Sequence, residues 1–200
     1  MKLKVCGLKY QENIKDVLEV TPDFLGFIFY PPSPRFVGEL APSFVKGINN
    51  IKKVGVFVNA SLPEVLETKE KYGLELIQLH GDESPEYVSE AKKNGLKVIK
   101  VFRINDKLPE NLTAFQTNAE LFLFDTDSKA YGGSGKQFDW ELLKDVSHPF
   151  LLSGGIGPED IFQIKALSLK YLQGIDVNSK VEVEPGRKSI SLIKQLKEQL

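Results

Sequence analysis

Two residues that can move protons each follow a short apolar run of this chain. Cys6, the only cysteine, ends the run LKVC, and Asp125 comes directly after LFLF at 121–124. Continuous apolar runs of this length are typical of strands buried on both faces, so both side chains are expected at strand ends. A carboxylic acid and a thiolate at one site suit general acid–base catalysis. The pair therefore predicts an enzyme that transfers a proton.

Each of these residues also has a structural interpretation. A lone cysteine is more often a small buried hydrophobic residue, and a free thiol with a pKa of about 8.5 needs a nearby cation to act as a base. Lys4 shares a strand face with Cys6, so its charge requires a carboxylate on the neighbouring strand, for which Asp176 is the candidate. Asp125 could be a helix cap or loop acid, and Asp127 competes with it for the catalytic role.

A glycine-rich segment follows these acids. Residues 132–136 read GGSGK, which has too much glycine to form regular structure and ends in Lys136. We expect this loop to close over a bound ligand and exclude water. Phe138 and Trp140, just beyond it, are expected to pack the helix that follows the loop.

Two later segments predict a phosphate site. Segment 153–161 combines a strand end, a glycine turn at Gly154 and Gly155, and a helix start, which together offer N–H groups to an anion. Asn178 and Ser179 follow the next predicted strand. In barrels of parallel strands, the loops after strands seven and eight commonly hold phosphate.

Three more polar residues complete the candidate site. Arg35 lies in the rigid segment YPPSPRF, where its guanidinium would bind a carboxylate, although an exposed surface arginine fits equally well. His80 ends the run LIQLH and is either a substrate contact or a hydrogen-bonded histidine at a strand end. Asp176 is grouped with them as a residue expected to line the ligand site.

Eight short runs rich in β-branched and aromatic residues recur along the chain. They cover 3–6, 24–29, 54–58, 76–80, 97–102, 121–124, 150–154 and 174–177. Helices are expected at 12–20, 42–49, 62–72, 85–94, 158–166 and 189–199. This alternation predicts an α/β fold, a (β/α)8 TIM barrel forming one catalytic domain over residues 1–200. A doubly wound parallel sheet is the alternative.

Composition limits the remaining classes of function. The 26 Lys and Arg residues and 27 Asp and Glu residues give a net charge of −1, which offers no reason to expect nucleic-acid or membrane binding. The chain contains no apolar run long enough for a transmembrane helix. One cysteine cannot form an internal disulfide, which fits a reducing cytoplasm. We therefore expect a cytoplasmic protein, monomer or homodimer, that acts on a small molecule.

Several segments in this order resemble the phosphoribosylanthranilate isomerases of tryptophan biosynthesis. They are KVCGL, GFIFYPPSPRFV, VGVFVN, IQLHGDE, LFDT followed by GGSGKQFDW, LLSGGIGPEDI and GIDVNSKVEVEPGRKS, and they span residues 4–189. The resemblance implies a (β/α)8 barrel and an Amadori rearrangement of N-(5′-phosphoribosyl)anthranilate to 1-(2-carboxyphenylamino)-1-deoxyribulose 5-phosphate. A phosphorylated small molecule is the implied partner, and no metal or organic cofactor is implied.

The resemblance also implies roles by position. Cys6 corresponds to the general base, and Asp125, rather than Asp127, corresponds to the general acid. Arg35 corresponds to the arginine associated with the anthranilate carboxylate. The phosphate loops correspond to Gly154, Gly155, Asn178 and Ser179. Lys180 stands where many members have a glycine, so its charge is expected to compensate for a changed backbone.

Two other functions fit the same segments. A different phosphosugar isomerase or epimerase would share the phosphate loops and turn over substrates that lack the anthranilate group. A catalytically silent barrel would bind a phosphorylated metabolite for regulation. An assay of substrate consumption separates these functions.

Overall fold

The computed structural model describes residues 1–126 and 137–200. Eight parallel strands form a closed barrel in chain order, with the eighth paired to the first. They are β1 Lys2–Val5, β2 Phe24–Ile28, β3 Lys52–Phe57, β4 Leu76–Leu79, β5 Val98–Ile104, β6 Leu121–Thr126, β7 Phe150–Leu152 and β8 Leu172–Val177. The predicted (β/α)8 barrel is confirmed, and closure of the sheet excludes the doubly wound alternative.

Helices connect most of the strands. They are α1 Gln11–Glu19, α2 Pro42–Lys46, α3 Leu62–Tyr72, α4 Pro85–Lys93, α5 Thr113–Gln116, α6 Ile161–Ala166 and α7 Ile190–Gln199. Ser61 and Ser84 cap α3 and α4 by accepting a backbone N–H three residues ahead, with a proline in each first turn. In the described part of the chain, no helix combines the length and apolarity needed to cross a membrane.

Two predicted helices differ in form. α2 ends at Lys46, earlier than expected, and Gly47 and Asn50 lead into β3, the latter with a left-handed φ of 67°. The predicted helix at 158–166 is a 3-10 turn, Pro158–Asp160, followed by α6. The Asp160 carboxylate accepts the Gly157 N–H at 2.7 Å, which tightens this first turn.

The strands separate two apolar layers. One cluster consists only of strand residues and therefore fills the barrel interior; in β6 it includes Leu121 and Leu123. Phe122 and Phe124 of the same strand belong to the larger cluster that the helices cover. Because successive side chains of a strand point to opposite faces, one continuous apolar run serves both layers.

A short antiparallel hairpin after β8 was not predicted. It consists of β9 Glu182–Glu184 and β10 Arg187–Lys188. The alternating VEVE followed by Pro185-Gly186 is the sequence signal for such a turn, and Gly186 has a left-handed φ of 89°. Asn13 of α1 anchors the hairpin, since its side chain bonds both the N–H (2.6 Å) and the carbonyl (3.0 Å) of Lys188.

Candidate active site

The carboxyl ends of the strands bring the predicted polar residues to one rim. Cys6 follows β1, His80 follows β4, and Asn178 follows β8. Asp125 and Asp176 are the second-to-last residues of β6 and β8. β6 extends two residues beyond its predicted run, so Asp125 lies within the strand, whereas β8 ends at Val177 as expected. The barrel thus gathers side chains that lie far apart in the sequence.

Cys6 fits the rim because the neighbouring strand carries a glycine. The thiol is buried, and a Cβ placed on Gly26 would lie 2.7 Å from its Sγ. The Cys6 N–H donates to the carbonyl of Val177 at 2.9 Å, which ties the end of β1 to β8. Sequence reasoning missed Gly26, although a glycine inside an apolar strand indicates a close approach of another group.

Lys4 has the carboxylate partner expected for it. Its ammonium lies 2.9 Å from Asp176 Oδ1, and both side chains are buried. Burial opposes the charged form of Lys4, but Asp176 and the thiolate form of Cys6 outweigh it and hold the pKa of the ammonium above its ordinary value. Burial raises the pKa of Asp176, Lys4 opposes that rise, and the nearby Asp125 carboxyl adds to it.

The thiol has the cationic neighbours that a base requires. Burial raises the pKa of Cys6, while Lys4 and Lys188 lower it and Asp176 raises it further. The net direction is upward, so burial outweighs the two ammonium groups. At neutral pH the resting side chain is therefore mainly the thiol, and the lysines reduce the cost of forming the thiolate.

Asp125 is held by a second polar pair. His80 Nε2 lies 3.3 Å from Asp125 Oδ2, and about a quarter of each side chain is exposed. His80 Nδ1 lies 3.3 Å from the buried Gln78 amide, two residues earlier on the same face of β4. The Asp125 carboxyl also accepts the Thr126 N–H at 2.9 Å. The carboxyl group is thus oriented yet accessible, as a proton donor must be.

The predicted phosphate loops lie side by side after β7 and β8. Gly154 and Gly155 have left-handed φ values of 98° and 70°, and a Cβ on Gly154 would lie 2.3 Å from Thr126 Oγ1. The helix start expected here is a 3-10 turn, so backbone N–H groups rather than a long helix would meet an anion. Ser179 opens another 3-10 turn, Ser179–Val181, and is exposed.

Lys180 extends from the second of these loops toward the first. Its ammonium lies 3.6 Å from Glu159 Oε1, and both side chains are about half exposed. The expected positive charge is therefore present near the loops, although Glu159 balances part of it.

Arg35 is engaged by a residue that sequence reasoning missed. Its Nε and Nη2 donate to both carboxylate oxygens of Glu182 at 2.8–3.0 Å. Gly7 allows this approach, since its φ is 75° and a Cβ there would lie 2.8 Å from Arg35 Cδ and 2.7 Å from Asn178 Oδ1. The predicted carboxylate-binding arginine is therefore at the rim, already oriented by another carboxylate.

The glycine loop at 132–136 and Asp127 lie outside the described residues, so the lid stays a prediction. Phe138 and Trp140 are buried, and the helix expected after the loop is a 3-10 turn, Trp140–Asp145. Gln137 donates its side-chain N–H to the carbonyl of Gly155 at 3.2 Å. The chain therefore resumes next to the first phosphate loop.

Sequence comparison relates the chain to known isomerases. Residues 3–199 match the family described as N-(5′-phosphoribosyl)anthranilate (PRA) isomerase. The N-(5′-phosphoribosyl)anthranilate isomerase of Parabacteroides distasonis is 42% identical over 207 aligned positions, which cover 100% of this chain and 93% of that protein.

Solved structures agree with this relation. The phosphoribosyl anthranilate isomerase of Thermus thermophilus superposes with a TM-score of 0.87 at 29% identity, covering 100% of this chain and 98% of the other. A phosphoribosyl anthranilate isomerase in complex with reduced 1-(o-carboxyphenylamino)-1-deoxyribulose 5-phosphate gives 0.80 at 27% identity, with 100% and 97% covered. The chain belongs to the N-(5′-phosphoribosyl)anthranilate isomerase family of enzymes.

Proposed function

We propose that this chain is a single catalytic domain that converts N-(5′-phosphoribosyl)anthranilate to 1-(2-carboxyphenylamino)-1-deoxyribulose 5-phosphate in tryptophan biosynthesis. The observation that carries the proposal is the convergence of Cys6 and Asp125 on one rim of the closed barrel, at the carboxyl ends of β1 and β6. The relative solved with a reduced form of this product supports the choice of substrate.

Asp125 is the proposed general acid. Its protonated carboxyl group donates to the ribose ring oxygen as the bond from that oxygen to C1′ breaks, and the anthranilate nitrogen supplies the electrons for a Schiff base. The side chain of His80, 3.3 Å away, orients the carboxyl group for this transfer. General acid catalysis of this kind typically contributes about 10²–10⁴-fold in rate.

Cys6 is the proposed general base. Its thiolate removes the proton from C2′ of the Schiff base, which gives an enolamine. The enolamine takes up a proton at C1′ while its 2′-hydroxyl loses one and becomes the ketone. Lys4 and Lys188 stabilise the thiolate against the cost of burial. These steps move only protons and bonds, so we propose no metal or organic cofactor.

Two anion sites orient the substrate between them. Arg35 would bind the anthranilate carboxylate, and the loops after β7 and β8 would bind the phosphate through Gly154, Gly155, Asn178 and Ser179. Holding both ends fixes the reacting carbons between acid and base, which removes much of the entropic cost of the reaction. A free catalytic thiol also suits a cytoplasmic enzyme, because thiols stay reduced there.

The test is turnover of the substrate by three variants. Cys6→Ala and Asp125→Asn are each expected to lower kcat by at least about 100-fold, and the exposed control Asp145→Asn should keep wild-type kcat. Circular dichroism establishes that each variant is folded. Near-normal kcat in Cys6→Ala or Asp125→Asn would refute that residue's role.

The same assay distinguishes the other two functions. Turnover of phosphosugars without the anthranilate group, but not of the proposed substrate, would indicate a different isomerase. Binding without turnover would indicate a regulatory barrel. Growth of a tryptophan auxotroph that lacks this step, restored by the wild-type chain, would support the proposal.

A further inference from the structure

Glu182, the first residue of β9, carries a buried carboxylate with cations on two sides. Its side chain is 5% exposed. It accepts hydrogen bonds from Arg35, from the Gly186 N–H at 3.0 Å, and from the Lys188 ammonium at 2.7 Å. Burial opposes ionisation, but Arg35 and Lys188 hold the pKa of Glu182 below its ordinary value. The carboxylate is therefore charged at neutral pH.

On one side, Glu182 determines the orientation of Arg35. A guanidinium has five N–H donors, and two of them, the one on Nε and one on Nη2, donate to Glu182. Within residues 1–126 and 137–200, Nη1 makes no hydrogen bond, so its donors remain for a ligand. The Arg35 side chain is 14% exposed, and its loop is tightened because Ser33 Oγ accepts the Arg35 N–H at 3.1 Å.

On the other side, Glu182 holds Lys188 against the second phosphate loop. The Lys188 side chain is fully buried, and its ammonium donates to Glu182 at 2.7 Å. It also donates to the side-chain oxygen and the carbonyl of Asn178, at 2.8 and 3.3 Å. These bonds use all three ammonium donors. The position of Asn178 thus depends on Lys188, which in turn depends on Glu182.

We propose that Glu182 is a positioning residue for both ends of the substrate, holding Arg35 for the carboxylate and, through Lys188 and Asn178, the loop that receives the phosphate. The inference rests on the proposed function, because it takes the two ligand groups from it. A bidentate carboxylate fixes the plane of a guanidinium, and that geometry is what recognition of a second carboxylate requires.

The first test replaces Glu182 by its neutral isostere. Glu182→Gln is expected to raise KM by about tenfold or more while kcat stays within about threefold, since the variant loses binding that is equal in ground and transition states. Glu182→Asp keeps the charge, so its KM should lie between those of the wild type and Glu182→Gln. The control is Glu184→Gln, on the same strand, whose half-exposed carboxylate pairs with Arg187 at 2.9 Å and should leave KM unchanged.

Two fragments of the substrate test its carboxylate end and its phosphate end separately. Anthranilate and inorganic phosphate are used as competitive inhibitors of the folded full-length enzyme. Glu182→Gln should raise both inhibition constants by about fivefold or more, whereas Arg35→Ala should raise only that of anthranilate. A role in stability alone would lower the melting temperature without changing either constant.

The outcomes separate this inference from the proposed function. If Arg35→Ala weakens anthranilate and Glu182→Gln changes neither inhibition constant nor KM, the positioning role is wrong and the proposed function stands. If Arg35→Ala leaves anthranilate inhibition unchanged, the carboxylate is bound elsewhere, and both the Arg35 assignment and this inference fall. Loss of kcat in Glu182→Gln with unchanged KM would also overturn the inference.

Discussion

A methyl group added at Gly26 tests whether the position of the Cys6 sulfur controls the rate. The new Cβ would lie 2.7 Å from Sγ and 2.9 Å from Cα of Cys6. Ordinary contacts between such atoms are about 3.5–4.0 Å, so about 1 Å must be recovered. Because one of the crowded atoms belongs to the backbone, rotation of the thiol alone cannot relieve the clash.

The cost divides between stability and rate. Overpacking of this kind costs about 1–3 kcal/mol, and each kcal/mol shifts the melting temperature of a chain this long by about 2–4 °C. We therefore expect Gly26→Ala to melt about 2–12 °C lower. A displacement of about 1 Å at a reacting atom can lower the rate by about 100-fold. We therefore expect kcat, measured at a temperature where the variant is folded, to fall by about 10- to 100-fold.

The matched control is Gly55→Ala on the next strand. Its Cβ would lie 2.5 Å from Leu74 and 2.8 Å from Phe57, which belong to the layer beneath the helices. We expect a comparable loss of melting temperature with kcat within about threefold of wild type. The fluorescence change on substrate consumption gives kcat, and thermal unfolding gives stability. Unchanged kcat in Gly26→Ala, or an equal loss in Gly55→Ala, would refute the reasoning.

Three further predictions concern charge and hydrogen bonding. Because burial raises the pKa of Cys6, iodoacetamide should alkylate this single thiol more slowly at pH 7–8 than it alkylates a free thiol. The alkylation rate should still increase above pH of about 9, and a rate that levels off below pH 8 would contradict this. Lys100→Met removes the cation that lies 2.7 Å from the buried Glu83 carboxylate. The free energy of unfolding, measured with urea, should therefore fall by about 3–5 kcal/mol. The control Lys107→Met, which removes the cation of an exposed ion pair, should leave the free energy of unfolding unchanged. Equal losses of unfolding free energy in the two variants would contradict the role of burial. His80→Gln should lower kcat by about tenfold with little change in KM, since it removes the group that orients the general acid; unchanged kcat would show that the contact is incidental.

Local patterns carried most of the fold. The apolar runs located all eight strands, and the helices expected at 62–72 and 85–94 match α3 and α4 to within one residue at each end. The connections before and after β6 were harder to predict from the sequence. α5 has only four residues, and the connection from β6 to β7 contains a 3-10 turn, Trp140–Asp145. Elements this short have no repeating apolar face, so periodicity cannot detect them.

The sequence by itself determined where the eight strands lie and placed Cys6 and Asp125 at or near strand ends, because these depend on neighbours within a few residues, and its motifs indicated the family. Closure of the strands into a barrel rather than an open sheet was seen in the pairing of β8 with β1. It also indicated that an inward Lys4 needs a carboxylate. Only the tertiary structure decided which groups meet. Arg35 and Glu182 are 147 residues apart, and they become partners because closure of the barrel pairs β8 with β1, the strand next to β2. The pKa of the thiol was likewise decided by burial, a property of the packed molecule that no short stretch of sequence contains.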